Sequence, residues 1–490
     1  MSFHSLVSRL LRTQTVLLLA VAGIALIGTL LLVSSRAATP FVTAESESGT
    51  VTSGASKITD NTASAGAAVK FGTATNSVNP LSSLPLIPWE GGSAYYDNFP
   101  KTKAAGWTNP AFIPISAWYM RANSQTDING YKALGINTSV KMESNANLPL
   151  LRSNGMFAVA DAGSSGTGTE TIGMHLEDEV DMWAGPGNDQ WNEGQPWPTV
   201  CTPAVDKGGK CGYTALAKIL TRVPSSGGYA VHANFGKGIF PGWESDAQFA
   251  QFLNGYTTIM SDDIYWYTDG DVCTAAQGPT MIQGSGPVSI YTGLKDLTQA
   301  ECRRAANYGA VVDRVRKLDA LDGKRQMIWS FVETGSPFQN GRAITGPQVE
   351  GAVMSSLIHE ARGITYFKHN FSGTCPSNDG LLDCANAPKA SVTKINGYIK
   401  ELAPVLNTQS YQYSFGSAID AMLKWHNGSA YIFAMGDKGS TGTKTFSLPA
   451  GLKTAQVSAL HENRTVPVSI GTFNDSFEAE YSYHIYKVTP

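Results

Sequence analysis

The sequence predicts an α/β chain: a (β/α)8, or TIM, barrel followed by a small antiparallel β-sandwich, with a transmembrane or signal helix at the N-terminus. Three observations carry that expectation. Short apolar runs alternate with helix-length amphipathic stretches through the middle of the chain, the pattern of βα units around a parallel sheet. Beyond Pro404 the helical periodicity stops and segments of alternating polarity follow. Near the start, 23 uncharged residues separate Arg12 from Arg36, enough at roughly 1.5 Å per residue to cross a hydrocarbon core of roughly 30 Å.

With 490 residues the chain has room for about three units of roughly 150 residues, or one large barrel and a smaller companion. Its 36 Lys and Arg stand against 39 Asp and Glu, so no basic field exists to attract a phosphate backbone, and nucleic acid is not an expected partner. Ten Trp, nineteen Tyr and nineteen Phe at only 15% charged residues describe a surface suited to sugars.

Residues 1–38 read as a signal peptide or signal anchor. Arg9 and Arg12 precede the apolar run, which keeps the N-terminus inside and sends the rest outward. Ser35-Arg36-Ala37 before Ala38 has small residues spaced for cleavage, while the run exceeds the roughly 7–15 apolar residues of a usual signal. Cleavage and retention both stay open, so the expected location is extracellular or at the cell surface, with the membrane as a partner if the helix is kept. Residues 39–84 are rich in Ser, Thr and Gly, and FVTAESESGTV and TASAGAAVKFG read as short β segments of a stalk or the remnant of a β module.

Residues 85–403 make the barrel and 404–490 the sandwich. The eight candidate strands are 112–119, 136–142, 156–161, 171–179, 229–235, 256–267, 326–333 and 363–371. In the C-terminal part His-Asn-Gly-Ser at 426–429 reads as a hairpin turn. Six cysteines fall into three local couples, Cys201 with Cys211, Cys273 with Cys302, and Cys375 with Cys384. Nearest-neighbour disulfides are the simplest pairing, they suit an oxidising compartment, and the lack of a CxxC speaks against zinc or redox chemistry.

Barrel active sites lie at the C-terminal ends of the strands. Strand four ends in Glu177-Asp178-Glu179, strand six in Asp262-Asp263 with Tyr265, Trp266 and Tyr267 behind, and strand seven in Glu333. Strand eight brings Lys368 and His369, strand one Trp118, Tyr119 and Arg121, strand five His232 and Asn234. Glycosidic bond cleavage needs two carboxyl groups, one to protonate the leaving oxygen and one to attack the anomeric carbon or activate water; a separation of roughly 5–5.5 Å gives retention. Glu179 and Glu333 fit those parts.

At GMHLEDEVDMW and MIWSFVETG the chain resembles the retaining glycoside hydrolases of clan A, over residues 85–490. The resemblance implies a retaining, double-displacement glycosidase acting on a polysaccharide or oligosaccharide, with Glu179 as acid/base and Glu333 as nucleophile. It departs at Asp178, where the family usually has an Asn that binds the sugar 2-hydroxyl. By strand alternation Glu177 and Glu179 share a face, so either can serve; Glu179 stands nearer the strand end. The mechanism asks that Glu179 stay protonated near neutral pH, raised by a nearby Glu333 and apolar walls. Glu333 should be ionised and steadied by Tyr265 or Tyr267. Asn234 and His369 are candidates for sugar hydroxyls, and Trp118, Trp183, Trp266 and Trp329 for stacking. No cofactor and no metal is expected. Two other readings are a non-catalytic surface lectin and a metal-dependent hydrolase using Asp262, Asp263 and His369.

Overall fold

The computed structural model describes residues 55–59, 67–71, 79–187, 211–241, 244–274, 277–283 and 294–490. The expected membrane-crossing helix, Cys201 and Trp243 lie outside them. No helix among the described residues is long and apolar enough to cross a membrane. The chain divides into two compact units between Val78 and Asn79. In the first, Ala55–Thr59 and Ala67–Phe71 pair as an antiparallel hairpin.

In the second unit eight parallel strands close into a barrel: β1 (Ile115–Met120), β2 (Thr138–Met142), β3 (Phe157–Asp161), β4 (Thr171–Asp178), β5 (Ala230–Phe235), β6 (Ile259–Asp262), β7 (Met327–Glu333) and β8 (Gly363–Phe367), which pairs back onto β1. Each grows from one of the eight apolar runs, because parallel strands are covered on both faces and so read as near-continuous hydrophobic sequence. One face fills the barrel: Trp118, Val140, Val159, Ile172, Trp329 and Phe331 meet inside. Trp329 is fully buried there with its indole N–H on the Tyr96 hydroxyl at 3.3 Å, a barrel filler rather than a platform. The run 256–267 is too long a strand. Pairing ends at Asp262, and the chain turns at Asp263 into a loop of buried aromatics.

The crossovers carry α1 (Gln125–Ala133), α2 (Leu148–Ser153), α3 (Gly212–Leu220), α4 (Asp246–Tyr256), α5 (Ala306–Asp319), α6 (Gly346–Ile358) and α7 (Lys389–Leu406). Start signals are visible in the sequence. Ser245 and Gln248 form a reciprocal capping box on α4, satisfying two of the amide groups that a first turn leaves open. Between β3 and β4, residues 162–170 cross without a helix; Gly163 and Gly166, both at positive φ, turn the chain straight back to the sheet.

After α7 come β9 (Ser410–Tyr411), β10 (Ile419–His426), β11 (Ser429–Gly436), β12 (Gly442–Ser447), β13 (Gln456–Ala459), β14 (Arg464–Pro467), β15 (Thr472–Phe477) and β16 (Tyr483–Val488). They form an antiparallel sheet in the order β9-β10-β11-β16-β13-β14 and a second pair, β12 with β15. Asn427 and Gly428 both take positive φ, the left-handed pair that a two-residue hairpin requires. Phe446 of the pair stacks on Phe473 at 4.6 Å, and both rings pack on Tyr486 of the larger sheet.

Polar contacts tie the sheets to the barrel, among them two clusters. Glu480 accepts the Tyr267 hydroxyl at 2.7 Å and the Ala305 N–H at 2.8 Å, and His359 bridges Asp313 and Asp420 at 2.8 Å each. Disulfides join Cys273 to Cys302 and Cys375 to Cys384 as expected, stapling loops beyond β6 and β8. Cys211 is disulfide-bonded too.

Candidate active site

A cavity of about 380 Å³ opens at the C-terminal ends of the barrel strands. Trp118 and Tyr119 line it from β1, Asp178 and Glu179 from β4, and Lys237 from the turn after β5. Asp263, Tyr265 and Asp269 come from the loop after β6, Phe338 from beyond β7, and Phe367, His369 and Phe371 from β8 and its extension.

At the ends of β1 and β4, sequence neighbours line this cavity together, Trp118 with Tyr119 and Asp178 with Glu179, which strand alternation forbids. The backbone explains both. Tyr119 and Glu179 sit at φ of +53° and +47°, a left-handed conformation that costs a non-glycine residue about 1–3 kcal/mol. That twist turns each side chain onto the face its predecessor already occupies. Lys141, at φ +51° on β2, brings a third such residue to the same rim. Glu177 consequently does not share the wall with Glu179. Its carboxylate accepts the Asp178 N–H at 3.1 Å, and Asp178 takes the place on the wall that alternation had given Glu177.

Asp178 is held from two sides. Lys141 stands 3.7 Å from Oδ2, and Asn234 donates its Nδ2–H to Oδ1 at 3.0 Å. Behind Asn234 a chain of hydrogen bonds runs through the barrel interior. Ser261 Oγ bonds Asn234 Oδ1 at 2.8 Å, His232 Nε2 bonds Ser261 Oγ at 3.0 Å, and His175 Nδ1 bonds His232 Nδ1 at 3.0 Å. The direction of every donor follows. An amide oxygen only accepts, so Ser261 gives its proton to Asn234 and must accept from His232 Nε2–H. Burial lowers the His232 pKa to about 3, so the ring is neutral, Nδ1 is bare, and His175 donates to it. Four donors in series thus point at one carboxylate. Asn234 itself is fully buried and does not line the cavity; it positions Asp178 rather than facing a sugar.

Glu179 is the proton-bearing group of the cavity. Burial first, then the charges of Asp178 and Asp181, push its pKa up to about 7. Its hydrogen-bonded carboxyl neighbour is Asp263, which burial and then Glu179 raise well above the usual carboxylate range. Asp263 Oδ2 accepts the Tyr265 hydroxyl at 3.2 Å. Two carboxyls in contact must share a proton, as like charges at that distance cannot both ionise. Sequence reasoning weighed Asp263 only as a metal ligand; the acidic doublet closing β6 was the available signal.

The floor beneath Glu179 is equally tight. Asp181 accepts the N–H groups of Gly236 at 3.1 Å and Gly238 at 2.8 Å, which clamps the turn after β5 and sets Lys237 on the wall, 3.2 Å from Asp269. A Cβ at Gly236 would stand 3.0 Å from Glu179 Oε1 and 2.9 Å from Met182 Cγ, so this position has no room for a side chain. Lys237 and Asp269 were not anticipated; Gly-Lys-Gly directly after an apolar strand was the signal. His369 lines the opposite wall between Phe367 and Tyr119 at ring distances of 4.9 and 5.9 Å. Burial lowers its pKa to about 4, and Nε2 has no hydrogen-bond partner among the described residues.

Several expectations need correction. Glu333 is not among the residues that line the cavity. It is fully buried, accepting the Tyr308 hydroxyl at 2.5 Å and the Thr268 hydroxyl at 3.1 Å. Tyr308 comes from α5. The expected hydroxyl donors are differently engaged, Tyr265 on Asp263 and Tyr267 on Glu480, although the Tyr267 backbone does hydrogen-bond Glu333. Glu333 is not held low by its donors either, because burial outweighs them and lifts its pKa to about 7. Trp266 is wholly buried beside Phe240, away from the cavity, and Trp183 gives its indole N–H to the Asp178 carbonyl at 2.9 Å. Asp262 is buried off the cavity, and no group of three His, Cys, Asp or Glu among the described residues could hold a metal ion. Trp118, Tyr265 and His369 stand where the sequence put them, at the cavity.

No family model and no curated protein matches this chain. Solved structures similar to it include an α-amylase from Geobacillus thermoleovorans complexed with acarbose, at 9% identity, covering 77% of this chain and 98% of that one with a TM-score of 0.38. Another is a GH30 endoxylanase from Clostridium papyrosolvens C71, at 12% identity, 77% and 96% coverage and a TM-score of 0.35. A third is Eubacterium rectale Amy13B, at 8% identity, 80% and 99% coverage and a TM-score of 0.42. At these scores the likeness assigns neither a family nor an activity.

Proposed function

We propose that this protein is a glycoside hydrolase that cleaves a polysaccharide or oligosaccharide with retention, with Glu179 as the acid/base. One observation carries the reading: a carboxyl at the end of β4, enclosed in an aromatic-walled cavity, keeps its proton to about pH 7. That proton is what a departing glycosidic oxygen needs. Asp263 shares the proton and keeps Glu179 oriented. It touches Glu179, whereas retention needs a second carboxylate roughly 5–5.5 Å away, so Asp263 is not the nucleophile.

The nucleophile in this reading is Glu333. It ends the strand whose alternate residues, Trp329 and Phe331, point into the barrel, and its two hydroxyl donors can stabilise a carboxylate. The role requires its carboxyl to leave Tyr308 and turn to the cavity when substrate arrives; catalytic contacts are often loose before binding. In the double displacement Glu179 protonates the leaving oxygen as Glu333 bonds the anomeric carbon. Glu179 then takes a proton from the water that releases the sugar. Asp178, hydrogen-bonded by Asn234 and close to Lys141, accepts from a sugar hydroxyl. The protein works outside the cell, a placement supported by the uncharged N-terminal run and the disulfides.

The experiment is a panel of polysaccharides and aryl glycosides tested with Glu179→Gln and Glu333→Ala, with azide added to the latter. Loss of activity in both, and a glycosyl azide of inverted anomeric configuration from Glu333→Ala, is the expected result. Near-native turnover in both variants removes the proposal. The absence of Glu333 from the cavity lining favours a second reading, a saccharide-binding protein without hydrolysis; wild-type protein that binds a glycan of the panel and releases no product would establish it.

A further inference from the structure

Beyond the Phe338 and Phe371 side of the cavity lies an open groove of about 590 Å³, lined by Pro337, Phe338, Gln339, Asn370, Phe371, Pro376, Ser377 and Asn378. Pro337, Phe338 and Phe371 belong to both spaces, so the groove is a continuation of the cavity. Each alone falls within the roughly 300–1,000 Å³ of a small-molecule site.

The groove is a built surface. Two loops form it, one following β7 and one following β8, and they are stitched together at every level. Asn370 pairs with Ser377 through both backbone groups at 2.8 Å, and the Ser336 and Ser372 hydroxyls bond at 2.6 Å. Ser372 also donates to the Phe338 carbonyl at 2.5 Å, and Gln339 Nε2 to the Phe371 carbonyl at 2.8 Å. The Cys375–Cys384 disulfide closes the second loop. Below it Lys368 is wholly buried on Asp379 at 3.2 Å, while Arg121 reaches over from β1 to grip Asp383 at 2.9 Å. On this rigid base Phe371 keeps 43% of its surface in water.

An apolar ring held in solvent by such a framework, with amide and hydroxyl side chains around it, matches one chemistry. A pyranose presents a C–H face and a rim of hydroxyls; the ring covers the first, while the Asn378 side chain and the amide oxygen of Gln339, whose nitrogen is spent on the Phe371 carbonyl, are left for the second. We infer that the groove binds further units of the saccharide chain whose cleaved bond sits at Glu179, so that the substrate is a chain extending past the cavity on the β7–β8 side. This rests on the glycosidase reading and adds to it the length of the substrate and the direction in which it lies.

The test compares kcat/KM for hexasaccharides and disaccharides of α-1,4-linked glucose, β-1,4-linked glucose and β-1,4-linked xylose in wild type, Phe371→Ala and Asn378→Trp, the last of which fills the groove. The ratio of hexasaccharide to disaccharide should fall at least tenfold in both variants. A ratio within twofold of wild type in both overturns the inference. If wild type cleaves none of the six sugars, the glycosidase reading fails on these probes, and the groove is judged by calorimetric binding of the hexasaccharides. Weaker binding in both variants then supports it, and equal or no binding overturns it.

Discussion

Glu179→Gln should make the protein more stable at pH 8 and leave it unchanged at pH 4. The unfolded carboxyl titrates near 4.5 and the folded one near 7. Below 4.5 both states hold the proton, so the group contributes nothing to the pH dependence. As pH rises from 4.5 to 7 the unfolded chain ionises while the folded one does not, and stability falls; above 7 the loss is complete. At about 1.4 kcal/mol per pH unit, the gap between 4.5 and about 7 is worth about 3.5 kcal/mol. Glutamine has the same size and no charge, so it recovers that amount at pH 8. It also lifts a negative charge off Asp263, which acts in the same direction. Urea unfolding at pH 4, 6 and 8 with the disulfides intact measures the gap, and the same proton predicts that kcat/KM of the wild type declines above pH 7. A stability difference equal at pH 4 and pH 8, or a variant weaker than wild type at pH 8, refutes the reasoning.

Gly236→Ala should lower activity tenfold or more, because the new methyl would stand 3.0 Å from the Glu179 carboxylate and 2.9 Å from Met182 Cγ; initial rates beside a melt separate this from any loss of stability. Ser261→Ala should cost about 2–6 kcal/mol, since it strands His232 Nε2–H and Asn234 Oδ1, both fully buried, at about 1–3 kcal/mol apiece; a loss below 1 kcal/mol in denaturant would break the proposed donor chain. Asp420→Asn should cost about 1.5–3 kcal/mol at pH 6 and almost nothing above pH 10. Burial opposes the charge on His359, but Asp420 and Asp313 prevail and raise its pKa to about 10. The stabilisation is therefore whole below 6.5 and disappears as pH climbs through 10, which a pair of melts would show.

What could be read from the sequence was whatever depends on period. Eight buried strands announce themselves as apolar runs, helix starts by residues such as Ser245 and Gln248, and the hairpin by Asn427-Gly428. The acid at the end of β4 followed from the rule that barrel sites gather at strand ends. What failed depends on single dihedral angles and on neighbours far along the chain. Alternation gave Glu177 and Glu179 a common face, and the left-handed backbone of Glu179 undid it. Nothing around residue 333 signals that Tyr308, 25 residues earlier, captures its carboxylate. Trp266 lies between two residues that do something polar, Tyr265 and Tyr267, yet is itself only packing.

The hold of Glu480 on Tyr267 and Ala305 gives the C-terminal sheets a stake in the chemistry. Tyr267 stacks on Tyr308, and Thr268 follows directly; those two neighbours are the residues that hold Glu333. An excised barrel, ending after α7, would lose the acceptor that anchors this loop, and the slack would pass within one residue to the second carboxylate. If the glycosidase reading holds, trimming this protein to its eight strands and their helices should therefore impair turnover even if the shortened chain folds.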